Sequence, residues 1–186
     1  MQSDRANLRS DARANRDRIL EVAREAFAAA PDASLNAIAK KAAVGAGTLY
    51  RNFPSREALV LAVYHKEIQS LVELAGTLVA KEAPLDAFRL WCERLADYGR
   101  IKHGLADVIH AAVTDEDHQQ SYWPMVAATG LLLRACEDSG DFRKGVDPED
   151  LLLLLGFLWR IKPGTSGKDR AERLLSVLID GLRRRS

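Results

Sequence analysis

Residues 34–59 read SLNAIAKKAAVGAGTLYRNFPSREAL, and the fold is decided by this stretch. Ser34 is a good N-cap for a short helix whose apolar side is Leu35, Ile38, Ala39 and Ala42. Ala43-Val44-Gly45 then form a tight segment. The spacing predicts a second, very short helix over residues 46–52, and Pro54-Ser55 end it and cap the next. Leu49 and Phe53, four apart, anchor the short helix from behind, with Ile38 and Val44 beneath them. Its opposite side presents Gly47, Thr48, Tyr50 and Arg51. Helix, tight turn and short helix make a helix-turn-helix, whose second element is small enough for a DNA major groove about 12 Å wide. Glycine allows close backbone approach, hydroxyl and phenol groups suit phosphate oxygens, and a guanidinium matches a guanine edge.

Upstream, Ile19, Ala23, Ala26, Phe27 and Ala30 trace one apolar face over three turns, and Pro31-Asp32 stops that helix. Before it lies a basic arm, residues 1–15, with Arg5, Arg9 and Arg13 at intervals of four; it reads as a frayed helix or a disordered tail. Downstream, Val60, Tyr64, Ile68, Leu71, Ala75 and Leu78 keep a three/four spacing from Arg56 to about Ala80. At 1.5 Å per residue this helix is close to 40 Å long, enough to leave one domain and enter another.

Charge follows the same division. Residues 1–66 carry 11 Lys/Arg against 7 Asp/Glu, whereas residues 67–186 carry 16 against 19, so a chain of net charge +1 is basic at one end only. That asymmetry suits a protein that meets a polyanion with its first third. The 47% hydrophobic and 28% charged content excludes disorder. The longest apolar run, Leu151 to Trp159, is half a membrane span, and the polar N-terminus has no secretory signal, so a soluble, cytoplasmic protein is expected. Cys92 and Cys136 form neither a disulfide framework nor a metal cluster.

Beyond residue 80 the pattern stays helical. Ala83-Pro84 opens a helix with Leu85, Phe88, Trp91, Leu95 and Tyr98 on one face, and another is expected from about Leu105 to Val113. The polar stretch TDEDHQQS reads as a loop, followed by a helix from about Pro124 to Asp138. Asp147-Pro148 starts the next, which runs apolar all round through Leu151 to Trp159, and a last helix carries Ala171, Leu174, Leu175, Leu178 and Leu182 inside. The fold class is therefore all-α, about nine helices.

The stretch from about Arg16 to His65 resembles the TetR family of bacterial repressors. The likeness rests on RDRILEVAREAFA, IAKKAAV, GTLYRNF and PSREAL at this spacing. The sequence departs from the family pattern at Ala43, where a turn glycine is usual, at Gly45, where a Ser or Thr cap is usual, and at Ala46, where many relatives carry Lys, Arg or Pro. The resemblance implies that Thr48, Tyr50 and Arg56 hold phosphates, that Ser34 adds its hydroxyl and a free N–H, and that Arg51 reads a base beside Gly47. Lys40 and Lys41 read either as further phosphate contacts or as a solvated helix face. It also implies a three-part layout: arm 1–15, helix-turn-helix domain 16–66, and ligand-binding and dimerisation domain 67–186.

Two recognition helices on half-sites one turn apart require a homodimer on pseudo-palindromic double-stranded operator DNA. A helix apolar all round finds its second partner in its own symmetry mate, so Leu152, Leu155, Gly156 and Trp159, with Leu175, Leu178 and Leu182 of the last helix, are the expected interface. Aromatic residues after residue 66 suggest a pocket for a small-molecule effector, for which Trp91, Tyr98, His110, Trp123 and Met125 are the candidates, with Cys92 and His103 as polar contacts. No nucleophile motif, Gly-rich phosphate loop or third metal ligand accompanies them, so no enzyme, metal or cofactor is expected, and no membrane partner. With these features, the family resemblance implies a transcriptional repressor released from its operator by the effector. A ligand-binding helical protein with a degenerate DNA-binding domain is the alternative.

Overall fold

A computed structural model describes residues 2–161 and 165–183. The side chains of Arg5, Arg9 and His103 lie outside the described residues. Among those described, the elements are α1 (Gln2–Ala29), α2 (Leu35–Lys41), α3 (Ala46–Asn52), α4 (Arg56–Lys81), α5 (Pro84–Gly104), α6 (Ala106–Ala112), α7 (Asp115–Ser139), α8 (Pro148–Leu155), a 3-10 segment (Gly156–Arg160) and α9 (Thr165–Leu182). The backbone of the basic arm continues α1 as one helix.

The chain divides into two compact units. One is Met1–Lys66 together with Gly104–Val113, and the other is Glu67–His103 with Thr114–Ser186. The first division falls inside α4, which passes from one unit into the other without a break. Gly104–Val113, expected in the second domain, belongs with the first unit, where Leu105 and Ile109 are buried.

The first unit is built on Ile19, Leu20, Ala23 and Phe27 of α1, Ile38 and Ala39 of α2, and Leu59, Val60 and Val63 of α4, all buried. Lys66 Nζ pairs with Asp17 Oδ1 at 2.8 Å, and this hydrogen bond holds the Asp17 carboxyl below its ordinary range. In the second unit, Phe88, Trp91, Cys92 and Leu95 of α5 are buried, as are Leu132, Leu133 and Cys136 of α7. Phe142 meets Phe88 edge-on at 5.2 Å, and Arg143 N donates to Leu182 O at 2.8 Å, which ties the chain after α7 to the end of α9.

Two expectations are corrected. The stretch TDEDHQQS is helical from Asp115 onward, with Thr114 as its N-cap. Thr114 Oγ1 accepts from Asp117 N at 3.1 Å, and Asp117 Oδ2 accepts from Thr114 N at 3.1 Å. This capping box starts α7 nine residues before Pro124, which the helix then carries in its interior. The apolar run Leu151 to Trp159 is not one continuous α-helix. It ends as an α-helix at Leu155, tightens into the 3-10 segment, and leaves Leu153 and Leu154 exposed while Leu151, Leu152, Leu155 and Leu158 are buried.

The 3-10 segment is seated by a glycine. A Cβ on Gly99 would overlap the Trp159 indole, which lies against α5 there, and Lys102 Nζ stands 5.1 Å from the ring centroid. Burial holds the Lys102 ammonium below its ordinary range. Gly99→Ala is expected to destabilise the protein by about 1–3 kcal/mol through overpacking, read as a lower Tm in thermal denaturation. An unchanged Tm would mean that the indole can swing aside freely.

Candidate nucleic-acid interface

The helix-turn-helix stands in the first unit as the spacing predicts. Ser34 Oγ caps α2 by accepting from Ala37 N at 3.2 Å, which leaves its own O–H free to donate elsewhere. After α2 the chain turns through Ala43 at φ +52°, the left-handed region that favours glycine, and Val44 N closes the turn on Ala39 O at 3.0 Å. The turn that usually holds a glycine is thus made with an alanine, at a local cost. Gly45 begins α3 without a side-chain cap.

The seven residues of α3 are fixed from one side. Leu49 and Phe53 are buried, together with Ile38, Ala39 and Ala42. Arg16 lays its guanidinium over the Phe53 ring, 4.4 Å from the centroid, and donates from Nη1 to Asn52 O at 3.3 Å. On the other side Gly47 and Arg51 are exposed, Tyr50 is 46% exposed, and Thr48 is half-buried. A Cβ at Gly47 would meet nothing within 4 Å, so the absent side chain leaves open space in front of the helix. Arg51 is folded back, donating from Nε to Gly47 O at 3.2 Å and from Nη2 to Thr48 Oγ1 at 3.1 Å. These contacts are local and solvent-exposed, so the guanidinium can exchange them for an acceptor in solution at small cost.

The basic residues divide into two roles. Lys40 is exposed. Lys41 is paired with Glu25 at 2.8 Å, which lowers the Glu25 carboxyl. Arg56 departs furthest from expectation. Its Nη1 donates to Ala33 O at 2.6 Å, its Nη2 donates to Pro31 O, and its guanidinium lies 5.0 Å from the centroid of the Phe27 ring. It clamps the α1–α2 turn to the start of α4, and so it positions the motif where a phosphate contact was expected. Arg16 was not singled out from the sequence. No short-range signal could reveal it, because its partners are 36 and 37 positions away.

The candidate effector residues differ in exposure and in the unit they belong to. Trp91 is fully buried with Nε1 donating to Leu71 O at 2.9 Å, and Tyr98 and Met125 are buried. Trp123 is 55% exposed, edge-on to Tyr122, whose hydroxyl donates to Glu149 Oε1 at 2.9 Å. His110 is exposed on α6 and belongs to the first unit. None of the five lines the cavity of about 290 Å³ in the second unit, which is walled by α5, Leu158 and α9. Cys92 does line it.

The expected interface residues differ in exposure within the single chain. Leu152, Leu155, Leu175 and Leu182 are buried within the chain, Trp159 is half-buried against α5, and Gly156 ends α8. Leu178 is half-buried. The large apolar side chains left exposed on α8 and α9 are Leu153, Leu154, Leu174 and Val177, the last at 69%.

Known proteins share these features. Residues 83–184 match the family described as the transcriptional regulator SbtR-like C-terminal domain, and residues 19–63 match the bacterial regulatory proteins of the tetR family. The TetR transcriptional regulator SCO0520 from Streptomyces coelicolor is 36% identical, with a TM-score of 0.82 over 92% of this chain and 99% of that one. A TetR transcription regulatory protein from Mycobacterium vanbaalenii is 34% identical, with a TM-score of 0.78 over 95% and 99%. Among curated relatives, the HTH-type transcriptional regulator UidR of Escherichia coli strain K12 is 44% identical over 59 residues, which span 31% of this chain and 30% of that protein.

Two substitutions test the local account. Ala43→Gly removes the left-handed penalty and is expected to raise stability by roughly 0.5–1 kcal/mol, measured by denaturant unfolding. A loss of stability would show the turn to be unstrained. Arg56→Ala is expected to cost about 1–3 kcal/mol by the same measurement, through two charge-assisted hydrogen bonds and an aromatic contact. Full stability in that variant would return Arg56 to the pool of free phosphate ligands.

Proposed function

The chain is a member of the TetR family of bacterial transcriptional regulators, and from that premise we propose that it is a homodimeric repressor. It binds pseudo-palindromic double-stranded operator DNA and is released when a small molecule occupies its second unit. The observation that carries this reading is the outer face of α3, where Gly47, Thr48, Tyr50 and Arg51 are turned away from the buried Leu49 and Phe53.

In this reading α3 enters the major groove. Arg51 gives up its contacts to Gly47 O and Thr48 Oγ1 and takes a guanine edge, a bidentate match worth about 1–3 kcal/mol of discrimination. The absent side chain at Gly47 lets the backbone approach. Thr48, Tyr50, Lys40 and the Ser34 hydroxyl hold phosphates, and Arg56 and Arg16 keep the motif in shape without touching DNA. The excess of basic residues in positions 1–66 supplies the sequence-independent attraction.

Two copies are needed to place two recognition helices on one site. Leu153, Leu154, Leu174 and Val177 are the apolar surface of α8 and α9 that a second copy covers. Four large exposed apolar side chains on the last two helices of a chain with a complete core are hard to reconcile with a monomer in water. The effector acts in the unit that continues α4, and α4 carries the change covalently into the DNA-reading unit.

Fluorescence anisotropy with the DNA upstream of the protein's own gene tests the reading. Binding should exceed that of unrelated duplex and fall steeply with salt, and Arg51→Ala should lose about 1–3 kcal/mol of discrimination at a single base position. Equal affinity for all duplexes would contradict sequence-specific regulation. Val177→Glu should convert a dimer to a monomer in sedimentation and abolish tight operator binding. A variant that stays dimeric would place the interface elsewhere.

A further inference from the structure

The cavity in the second unit has two chemical layers. Its depth is made by Cys92 and Ala96 of α5, Leu158 of the 3-10 segment and Leu175 of α9, all of them buried. Charge is confined to its mouth, where Arg89 and Glu93 on α5 and Lys168 and Glu172 on α9 sit at exposed or half-exposed positions. Asp97 is at the mouth as well, and it too is exposed.

A ligand reaching the floor meets aliphatic carbon and one sulfur. Burial pushes the Cys92 thiol well above its ordinary range, so it stays a neutral S–H, a weak donor. A charged group carried to that depth would lose its hydration and find no counter-charge. At the mouth, two cations stand among three carboxylates, so there is no excess of positive charge to draw in an anion. With a volume of about 290 Å³ the cavity lies at the small end of ligand sites.

We infer that this cavity is the effector site and that it takes a small, uncharged, largely apolar molecule of one or two rings. The inference rests on the regulator reading above for the word effector, while the cavity and its chemistry stand independently of it. The ligand's apolar body lies on Cys92, Ala96, Leu158 and Leu175, and any polar substituent points outward to the charged mouth. Ala96 and Ala171, on α5 and α9, set the width by being small.

Calorimetry with three probes of matched size tests it: naphthol as the neutral molecule, naphthoate as the anion and naphthylmethylammonium as the cation. The full chain should bind one naphthol per protomer, with both ions weaker by about tenfold or more. Ala96→Leu fills the floor, and Ala171→Leu fills the opposite wall at a half-buried position that tolerates the change more easily. Each should weaken naphthol by about tenfold or more while helicity and DNA binding persist. Absence of saturable naphthol binding, ions bound as tightly as naphthol, or filled variants that bind like the parent would each overturn the assignment. Specific DNA binding without naphthol binding overturns the cavity alone. Naphthol binding lost on filling, in a protein with no specific DNA complex, upholds the cavity and overturns the regulator reading.

Discussion

A helix of seven residues does not hold its shape alone in water, because the cost of its first turn is not recovered over so few hydrogen bonds. Everything attributed to α3 therefore depends on the contact behind it. Leu49 and Phe53, both buried, replace the missing helical stability with tertiary packing, and Arg16 covers the Phe53 ring from the solvent side. Because this attachment uses one side of α3 completely, the other side is left to polar and small residues. The orientation of Tyr50 and Arg51 follows from where Leu49 and Phe53 sit, and a rotation of α3 by one residue would bury the phenol and expose the core.

The same constraint explains why positively charged residues near the motif do different work. An Arg whose guanidinium reaches two backbone carbonyls and an aromatic face is occupied, and Arg56 is in that position. An Arg whose partners are a carbonyl and a hydroxyl of its own helix, both at the surface, is merely parked, as Arg51 is. Net charge does not separate these cases. The left-handed Ala43 adds that the turn is imposed by the packing of the helices on either side of it, since the residue itself prefers otherwise.

The first unit was legible because its signals are local. Ser34 before an apolar stripe, a tight turn, and Leu49 and Phe53 four apart each specify geometry within a few residues, and the structure places Ile38, Leu49 and Phe53 in the core as read. The clamp by Arg56 was not legible, since Pro31 and Ala33 are more than twenty positions away and give no pattern. Residues 151–159 failed for a different reason. A helix with no polar residue has no phase, so its sequence cannot say that Leu153 and Leu154 face out while Leu152 and Leu155 face in. The start of α7 was misread because a polar run says solvent exposure, and only the Thr114–Asp117 pair says helix. Large rings fill cores as readily as they line pockets, so the aromatic residues carry no local sign of which they do; of the buried residues that line the cavity, Cys92, Ala96, Leu158 and Leu175, only Cys92 stood among the expected effector contacts.

Hydroxyl-radical footprinting of the chain on DNA from upstream of its own gene bears most directly on whether α3 is a reading head presented twice. Two protected patches related by a two-fold axis, with their centres about one helical turn (~34 Å) or more apart, are the expected result. A single patch, or protection spread evenly along the duplex, would contradict it.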